Sequence, residues 1–445
     1  MIKALMTILM GVMVSFYFFP IEFTFLPGVN TKMAMAGFGL VVLIVRMAQR
    51  QKPYIDNGVF RFSLIAILVS LFGFVSVAYN GTPDYTYATY IVSMWVWLSG
   101  AYVVVTFLRS LHGYVSVELV CNYLIAVCTM QCISALMIDS MPAFKAVVDT
   151  YVSGFGFVDT SQLNSGNRLY GIGAGLDVAG LRFSTVLCAI AYITSHIANT
   201  TRRGYIGIYL VCFVIIGLVG NMIARTTTVG VGLALAYWAY ALFRSDSREE
   251  NYYLWRWLIG TIVVALLIIV PLYNINPTFK ANTRFAFEGF FSLIEKGRWE
   301  VHSNNILMNM YVFPDNLKTW IIGDGYFDNP QDIDPYYTGE VTGGYYMGTD
   351  VGYLRFIFYF GIFGLTSFIA FFIAITQSCM KKFSQQSLLF LLFLAVNIIG
   401  WFKVSTDVFL VFAPFLLISR EENEAAEQRL KMNDEPKVAG QWEKQ

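Results

Sequence analysis

Twelve mostly apolar stretches recur along this chain, near 4–22, 31–48, 62–79, 86–108, 114–137, 180–198, 204–223, 226–243, 254–273, 351–376, 386–402 and 404–419. A helix needs about 20 such residues to cross a bilayer. Inside hydrocarbon every backbone N–H and C=O must be paired within the segment, and runs of this length meet that demand as helices. Composition agrees. The 445 residues are 57% hydrophobic and 13% charged, with a mean hydropathy of +0.58, whereas soluble domains carry about 45–50% apolar and roughly 25% charged residues. Too few polar side chains remain to cover a water-facing surface. A net charge of +1 leaves no basic stripe of the kind nucleic-acid binders show. The chain reads as an all-α polytopic membrane protein with about twelve transmembrane helices.

The short connections carry a charge bias. Arg46, Arg50, Lys52 and Arg61 follow the second window, Arg109 the fourth, Arg202 and Arg203 the sixth, Arg244, Arg248 and Arg256 the eighth, and Lys381 and Lys382 the tenth, while the alternate connection at 80–85 has no Lys or Arg. By the positive-inside rule both termini are then cytoplasmic. The integral membrane part is expected over 1–420, with 421–445 a charged, disordered cytoplasmic tail. The apolar run after Lys3 has no small-residue cleavage site, which argues against a cleaved signal peptide. Six cysteines, at 121, 128, 132, 188, 212 and 379, all fall in or beside apolar runs, so neither a disulfide framework nor a CxxC metal site is expected.

Two connections are long, 138–179 and 274–350, and both fall on the outer side. Long loops in a compact protein are usually functional. The first is glycine-rich around Asn167-Arg168-Leu169-Tyr170-Gly171-Ile172-Gly173-Ala174-Gly175, from Gly154 through Gly156 and Gly166 to Gly180, with Arg182 just beyond. Arg225 is followed by Thr226, Thr227 and Thr228, a cluster that suits a phosphate because a guanidinium fork matches phosphate oxygens. Snorkelling to the interface is the structural alternative. In the second loop Phe287, Phe290, Phe291 and Ile294 have the spacing of an amphipathic interfacial helix, flanked by Arg284 and Arg298, with His302 after it. Asp332-Ile333-Asp334 has the form of a metal-binding DxD, but Pro330 and Pro335 mark it as a solvated turn. Asp350, before Tyr353 and Arg355 at the start of the tenth window, is either a helix cap or a carboxylate placed to take a proton from a hydroxyl.

Taken in order, Arg168 to Gly180, Arg225, Gly297-Arg298-Trp299, Gly323-Asp324-Gly325-Tyr326, Thr349-Asp350-Val351-Gly352-Tyr353-Leu354 and Gly361-Ile362-Phe363-Gly364 resemble the Wzy-type O-antigen and capsular polysaccharide polymerases, within the superfamily that includes the O-antigen ligases. Ligases usually have His-Asn where this chain has Thr349-Asp350. Some polymerases place a Gly eleven positions after an Arg in each loop, and here Gly180 is twelve after Arg168 and Gly297 thirteen after Arg284.

The resemblance implies a GT-C-type membrane glycosyltransferase fold with two large periplasmic loops, in the bacterial inner membrane. It implies transfer of a growing glycan from undecaprenyl pyrophosphate onto a new undecaprenyl-pyrophosphate-linked repeat unit, inverting and without metal or cofactor. Asp350 and Arg298 are then expected to be catalytic, and Arg168, Arg182, Arg225, Arg284, Arg355, Tyr353 and His302 to bind pyrophosphate or glycan. A chain-length regulator is an expected partner. The rival readings are an O-antigen ligase acting on lipid A–core and, from another class, a lipid-linked oligosaccharide flippase, although transporters usually show repeated halves and midplane charges.

Overall fold

A computed structural model describes residues 2–49, 58–154, 168–197, 201–244, 248–340 and 342–434. Gly156, Gly166 and Asn167 of the glycine-rich stretch lie outside the described residues. The first half is α1 (Ile2–Phe18), β1 (Glu22–Phe23), α2 (Thr31–Ala48), α3 (Gly58–Asn80), α4 (Tyr90–His112), α5 (Val117–Ser140), α6 (Pro142–Tyr151) and β2 (Val152–Gly154), with β1 and β2 antiparallel. There follow α7 (Leu176–Ile197), α8 (Ile206–Ile223), α9 (Thr227–Arg244) and α10 (Arg248–Ile275). The second long connection is built of short helices, α11 (Pro277–Ala286), α12 (Glu288–Lys296), α13 (His302–Asn309), α14 (Leu317–Ile321) and α15 (Pro330–Ile333). The chain closes with α16 (Gly352–Lys382), α17 (Ser387–Gly400), α18 (Phe409–Leu416) and α19 (Arg420–Asp434).

The protein is an essentially all-helical, polytopic membrane protein, and among the described residues eight helices are long and apolar enough to cross a bilayer: α2, α3, α4, α5, α7, α8, α10 and α16. That is fewer than the twelve windows. Helices do form at the other four, but α1, α17 and α18 are shorter than a full span, and α9, although 18 residues long, is diluted by Thr227, Thr228 and Arg244.

Local chemistry explains where elements start and stop. Asn30 caps α2 by accepting Met33 N–H at 3.0 Å, and Ser116 caps α5 by accepting Leu119 N–H at 3.1 Å. Gly113, at φ +76, ends α4 in the left-handed conformation. The most buried span is α7, whose Ala179, Gly180, Ser184, Cys188 and Ala191 let neighbours approach. In contrast α10 presents Ile259, Val263 and Leu267 to the surroundings, as a lipid-facing helix does.

α16 is broken at Phe360 and Gly361 (φ +69), which leaves carbonyls without helical partners. The Gly323–Tyr326 segment fills the break: Asp324 N–H donates to Phe358 O at 2.6 Å, Gly325 N–H to Tyr359 O at 3.1 Å, and the Ser76 hydroxyl to Tyr359 O at 2.6 Å. Two motifs far apart in sequence thus form one joint, as irregular backbone within a membrane bundle requires.

The described part of the tail expected to be disordered is helical, and 435–445 lie outside the described residues. Residues 420–434 form α19, because Ala426 buries, the Asn423 side chain accepts Val117 N–H at 2.9 Å, and Glu422 takes a two-pronged bond from Arg109 at 2.7 and 2.8 Å. Arg202 pairs with Glu118 at the same end. The cysteines are all free thiols.

Candidate functional site

At the opposite end of the bundle, α7 begins, α8 ends, α9 begins, α16 begins and α17 ends. The α8–α9 turn carries Arg225. A Cβ on Gly180 would stand 1.9 Å from Thr226 Oγ1, so only glycine lets α7 lie against this turn. The three threonines act within it: Thr226 donates to Asp177 Oδ1 at 3.4 Å, Thr227 to Gly220 O at 3.0 Å, and Thr228 to Asn221 Oδ1 at 2.7 Å. They hold the turn, where the sequence suggested a phosphate cradle.

Arg225 projects from this turn. Its Nε donates to Phe285 O at 3.0 Å and its Nη1 to Ser303 Oγ at 2.9 Å, and Glu288 Oε2 lies 2.8 Å from Nη1. Arg168 reaches the same place, because Leu169 N–H donates to Met222 O at 3.3 Å and ties the glycine-rich segment to the end of α8. The guanidinium carbons of Arg225 and Arg168 sit 4.1 and 5.4 Å from the Phe285 ring centre. Burial lowers the Arg225 pKa, Glu288 opposes that shift, and the neighbouring Arg168 adds to it.

Asp350 faces the same region from the foot of α16. It is not the helix cap: Val351 holds that position, and Val351 N–H is taken by Thr349 Oγ1 at 3.2 Å. The Asp350 carboxylate makes no hydrogen bond to a described residue. Burial pushes its pKa up from the ordinary value, Arg355 and Lys403 pull it down, and Asp177 pushes it further up. Lys403, between the windows at 386–402 and 404–419, is not among the sequence candidates. It lies in the non-helical turn between α17 and α18, and burial draws its pKa down against the pull of Asp177, with Arg225, Arg168 and Asp350 all in electrostatic reach. Tyr353 and Arg355 place it. Tyr353 N–H donates to Trp401 O at 3.2 Å and its hydroxyl to Ile398 O at 2.8 Å. Arg355 lies flat between Phe327 (3.7 Å) and Tyr345 (3.5 Å) and donates to Ser405 Oγ at 2.6 Å and Phe327 O at 2.8 Å. Both residues therefore brace the 401–405 turn against the start of α16.

The side chains of the remaining sequence candidates have other partners or face solvent, although the His302 N–H donates to Glu288 Oε1 at 3.2 Å beside Arg225. Arg182 is deep in the bundle, bonded to Phe18 O and surrounded by Phe18, Phe19 and Trp97. Arg284 is clasped by Glu295 at 2.7 Å through both prongs, Arg298 is 73% exposed and pairs with Glu300 at 3.3 Å, and His302 is exposed at the start of α13. Asp334 accepts the Tyr326 hydroxyl at 2.5 Å and caps its own turn through Tyr336 N–H at 2.9 Å.

The site thus gathers Arg168, Arg225 and Lys403 with Asp177 and Asp350. Fixed cations in a water-poor setting stabilise an anionic leaving group, and a carboxylate whose pKa is raised above the ordinary value is a stronger base toward a hydroxyl proton. Comparison with known protein families, curated proteins and solved structures finds no match for this chain.

Proposed function

We propose that this protein is a polysaccharide polymerase of the bacterial inner membrane. In this reading it transfers a growing glycan from undecaprenyl pyrophosphate onto the terminal sugar of a new undecaprenyl-pyrophosphate-linked repeat unit, at the periplasmic face. The observation that carries it is the convergence of Arg168, Arg225 and Lys403 with Asp350 at one end of a membrane bundle. The acceptor hydroxyl oxygen attacks the anomeric carbon and its proton passes to the Asp350 carboxylate. The bond from that carbon to the pyrophosphate oxygen breaks, and undecaprenyl pyrophosphate leaves with the electron pair, its new charge met by the three cations. In-line attack inverts the anomeric centre. In this geometry Lys403 takes the part that the resemblance gave to Arg298.

The test is a gel of surface polysaccharide from cells lacking the gene, complemented with wild type or with Asp350→Asn. Polymerisation predicts that deletion leaves single repeat units on lipid A–core and that Asp350→Asn fails to restore the ladder. Long polymer stranded on undecaprenyl pyrophosphate would instead identify a ligase. A full ladder after deletion would sink both and bring the flippase reading forward.

A further inference from the structure

The helix that carries Glu288 is chemically two-sided. Glu288 sits on Arg225, while Phe287, Phe290 and Ile294 turn toward Phe213 and Gly217 of α8 and Ile269 of α10 around a groove of about 400 Å³. That volume is within the range of small-molecule sites, about 300–1,000 Å³. Groove and cations share a wall: Thr283 and Phe287 line the groove, and Phe285 and Glu288, from the same 283–288 stretch, face Arg225. At a rise of about 1.5 Å per residue, Leu218 and Phe213 lie roughly 10 and 18 Å down the chain from Arg225, so the groove runs from the cations toward hydrocarbon depth. Ile294, at 82% exposed, and Phe290, at 54%, leave its outer side apolar.

We propose that this groove receives the hydrocarbon chain of a phosphate-headed membrane lipid, and that Glu288 holds the place of the phosphate on Arg225 until the lipid enters. The inference rests on the reading of the site as one for an anionic lipid-linked substrate, and adds to it a tail site and an internal competitor. Charge balance is the first support. Arg355 also acts on Asp350 but is paired with Asp328 at 3.2 Å; beside that pair, Arg168, Arg225 and Lys403 stand with Asp177, Asp350 and Glu288, and withdrawing Glu288 leaves one positive charge for an incoming anion. The second support is mechanical. Glu288 and the groove residues Phe290 and Ile294 lie on the one helix α12, so the helix that moves Glu288 is the one whose apolar face a lipid chain would touch. The Glu288 side chain is 32% exposed, and besides Arg225 it accepts only a long bond, from the His302 N–H at 3.2 Å, among the described residues; a partly solvated ion pair of this kind is readily exchanged. A phosphate monoester brings about −1.5 to −2 charges near neutral pH and forks onto a guanidinium.

The experiment measures binding of geranylgeranyl phosphate to the full-length protein in alkyl maltoside micelles, with geranylgeraniol and inorganic phosphate as competitors. Glu288→Gln is expected to tighten binding by about fivefold or more, since the competing charge is gone. Ile294→Asp, at an exposed groove position, is expected to weaken it by about tenfold or more. Gly217→Phe, entering the groove where a Cβ meets only Val231 at 3.7 Å, should weaken it similarly. Unchanged or weaker binding by Glu288→Gln, wild-type binding by Ile294→Asp, or competition by inorganic phosphate equal to the lipid's own would each overturn the proposal. The polysaccharide gel separates the two readings. If lipid binding follows this pattern while gene deletion leaves polysaccharide untouched, the polymerase reading falls alone. If the ladder needs Asp350 while Ile294→Asp keeps both ladder and lipid binding, the groove proposal falls alone.

Discussion

Lys403 and Asp350 face one another from different elements, and each alters the other's proton affinity. Burial raises the Asp350 pKa, and Lys403 is among the groups that restrain the rise. A base must be deprotonated, so transfer activity falls as pH drops through a value above the ordinary carboxylate range. Lys403→Met removes a restraining charge, and the acid limb of the pH–rate profile should then move to higher pH. The maximal rate should also fall by about 10²–10³, the usual loss when one charge-stabilising contact is removed. In vitro polymerisation rates measured against pH with both proteins check this, and an acid limb that stays in place would remove Lys403 from the site. Arg225→Ala is expected to lower the same rate by a similar factor of about 10²–10³.

At the scale of elements, the broken α16 and the segment that fills it are one mechanical unit beneath the site. Gly361 is at φ +69, and a Cβ there would stand 2.2 Å from Ile321 O. Gly361→Ala therefore combines left-handed strain with a backbone clash, and a loss of roughly 2–4 kcal/mol is expected. Gly232 on α9 has nothing within 4 Å of a built Cβ and has no positive φ, so Gly232→Ala should leave stability unchanged or slightly raised. Thermal unfolding of the two variants in the same detergent tests the contrast. Equal melting temperatures would show that the α14 and Gly323–Tyr326 joint is not rigid. The same joint binds Asp324, which accepts from Lys318 and, at 2.7 Å, from the Thr319 hydroxyl, so this carboxylate serves structure.

Across the whole molecule, the ion pairs and cation clusters named above gather at the two ends, with Arg182 buried between helices apart from them. At one end Arg109–Glu422 and Arg202–Glu118 tie α19 and the connections together, and at the other stands the cation cluster. The Arg109–Glu422 pair is mostly shielded from solvent, with side chains 14% and 17% exposed, and a charge-assisted bond of this kind contributes about 1.5–3 kcal/mol. Arg109→Ala should free α19 first, because the other ties described for it are the burial of Ala426, the Asn423 cap and the bond from Gln386 to Glu427. Hydrogen exchange is the measurement: amides 421–427 should lose protection while α7 keeps its own. Loss of protection throughout the bundle would instead make α19 part of the core.

Hydrophobic run length by itself determined that the chain is an all-helical membrane protein, because backbone pairing in hydrocarbon admits little else, and it located the helices to within a few residues. The amphipathic helix at Glu288–Lys296 was equally legible, since the spacing of Phe287, Phe290, Phe291 and Ile294 is a local property. How many helices are full spans was less so, because a window of composition does not register where α17 stops short or where Gly361 breaks α16. The tail misled for a related reason: its charges read as solvated until Arg109 and the α5 N-terminus supplied partners. Of the site, Arg168, Arg225 and Asp350 could be picked out as charged residues near loop ends. That they meet, and that Lys403 and Asp177 join them, was decided by tertiary structure alone. Five segments between residues 168 and 403 converge there through close helix contacts at Gly180 and at the start of α16, and electrostatic partnership depends on distance in space, which sequence separation does not encode.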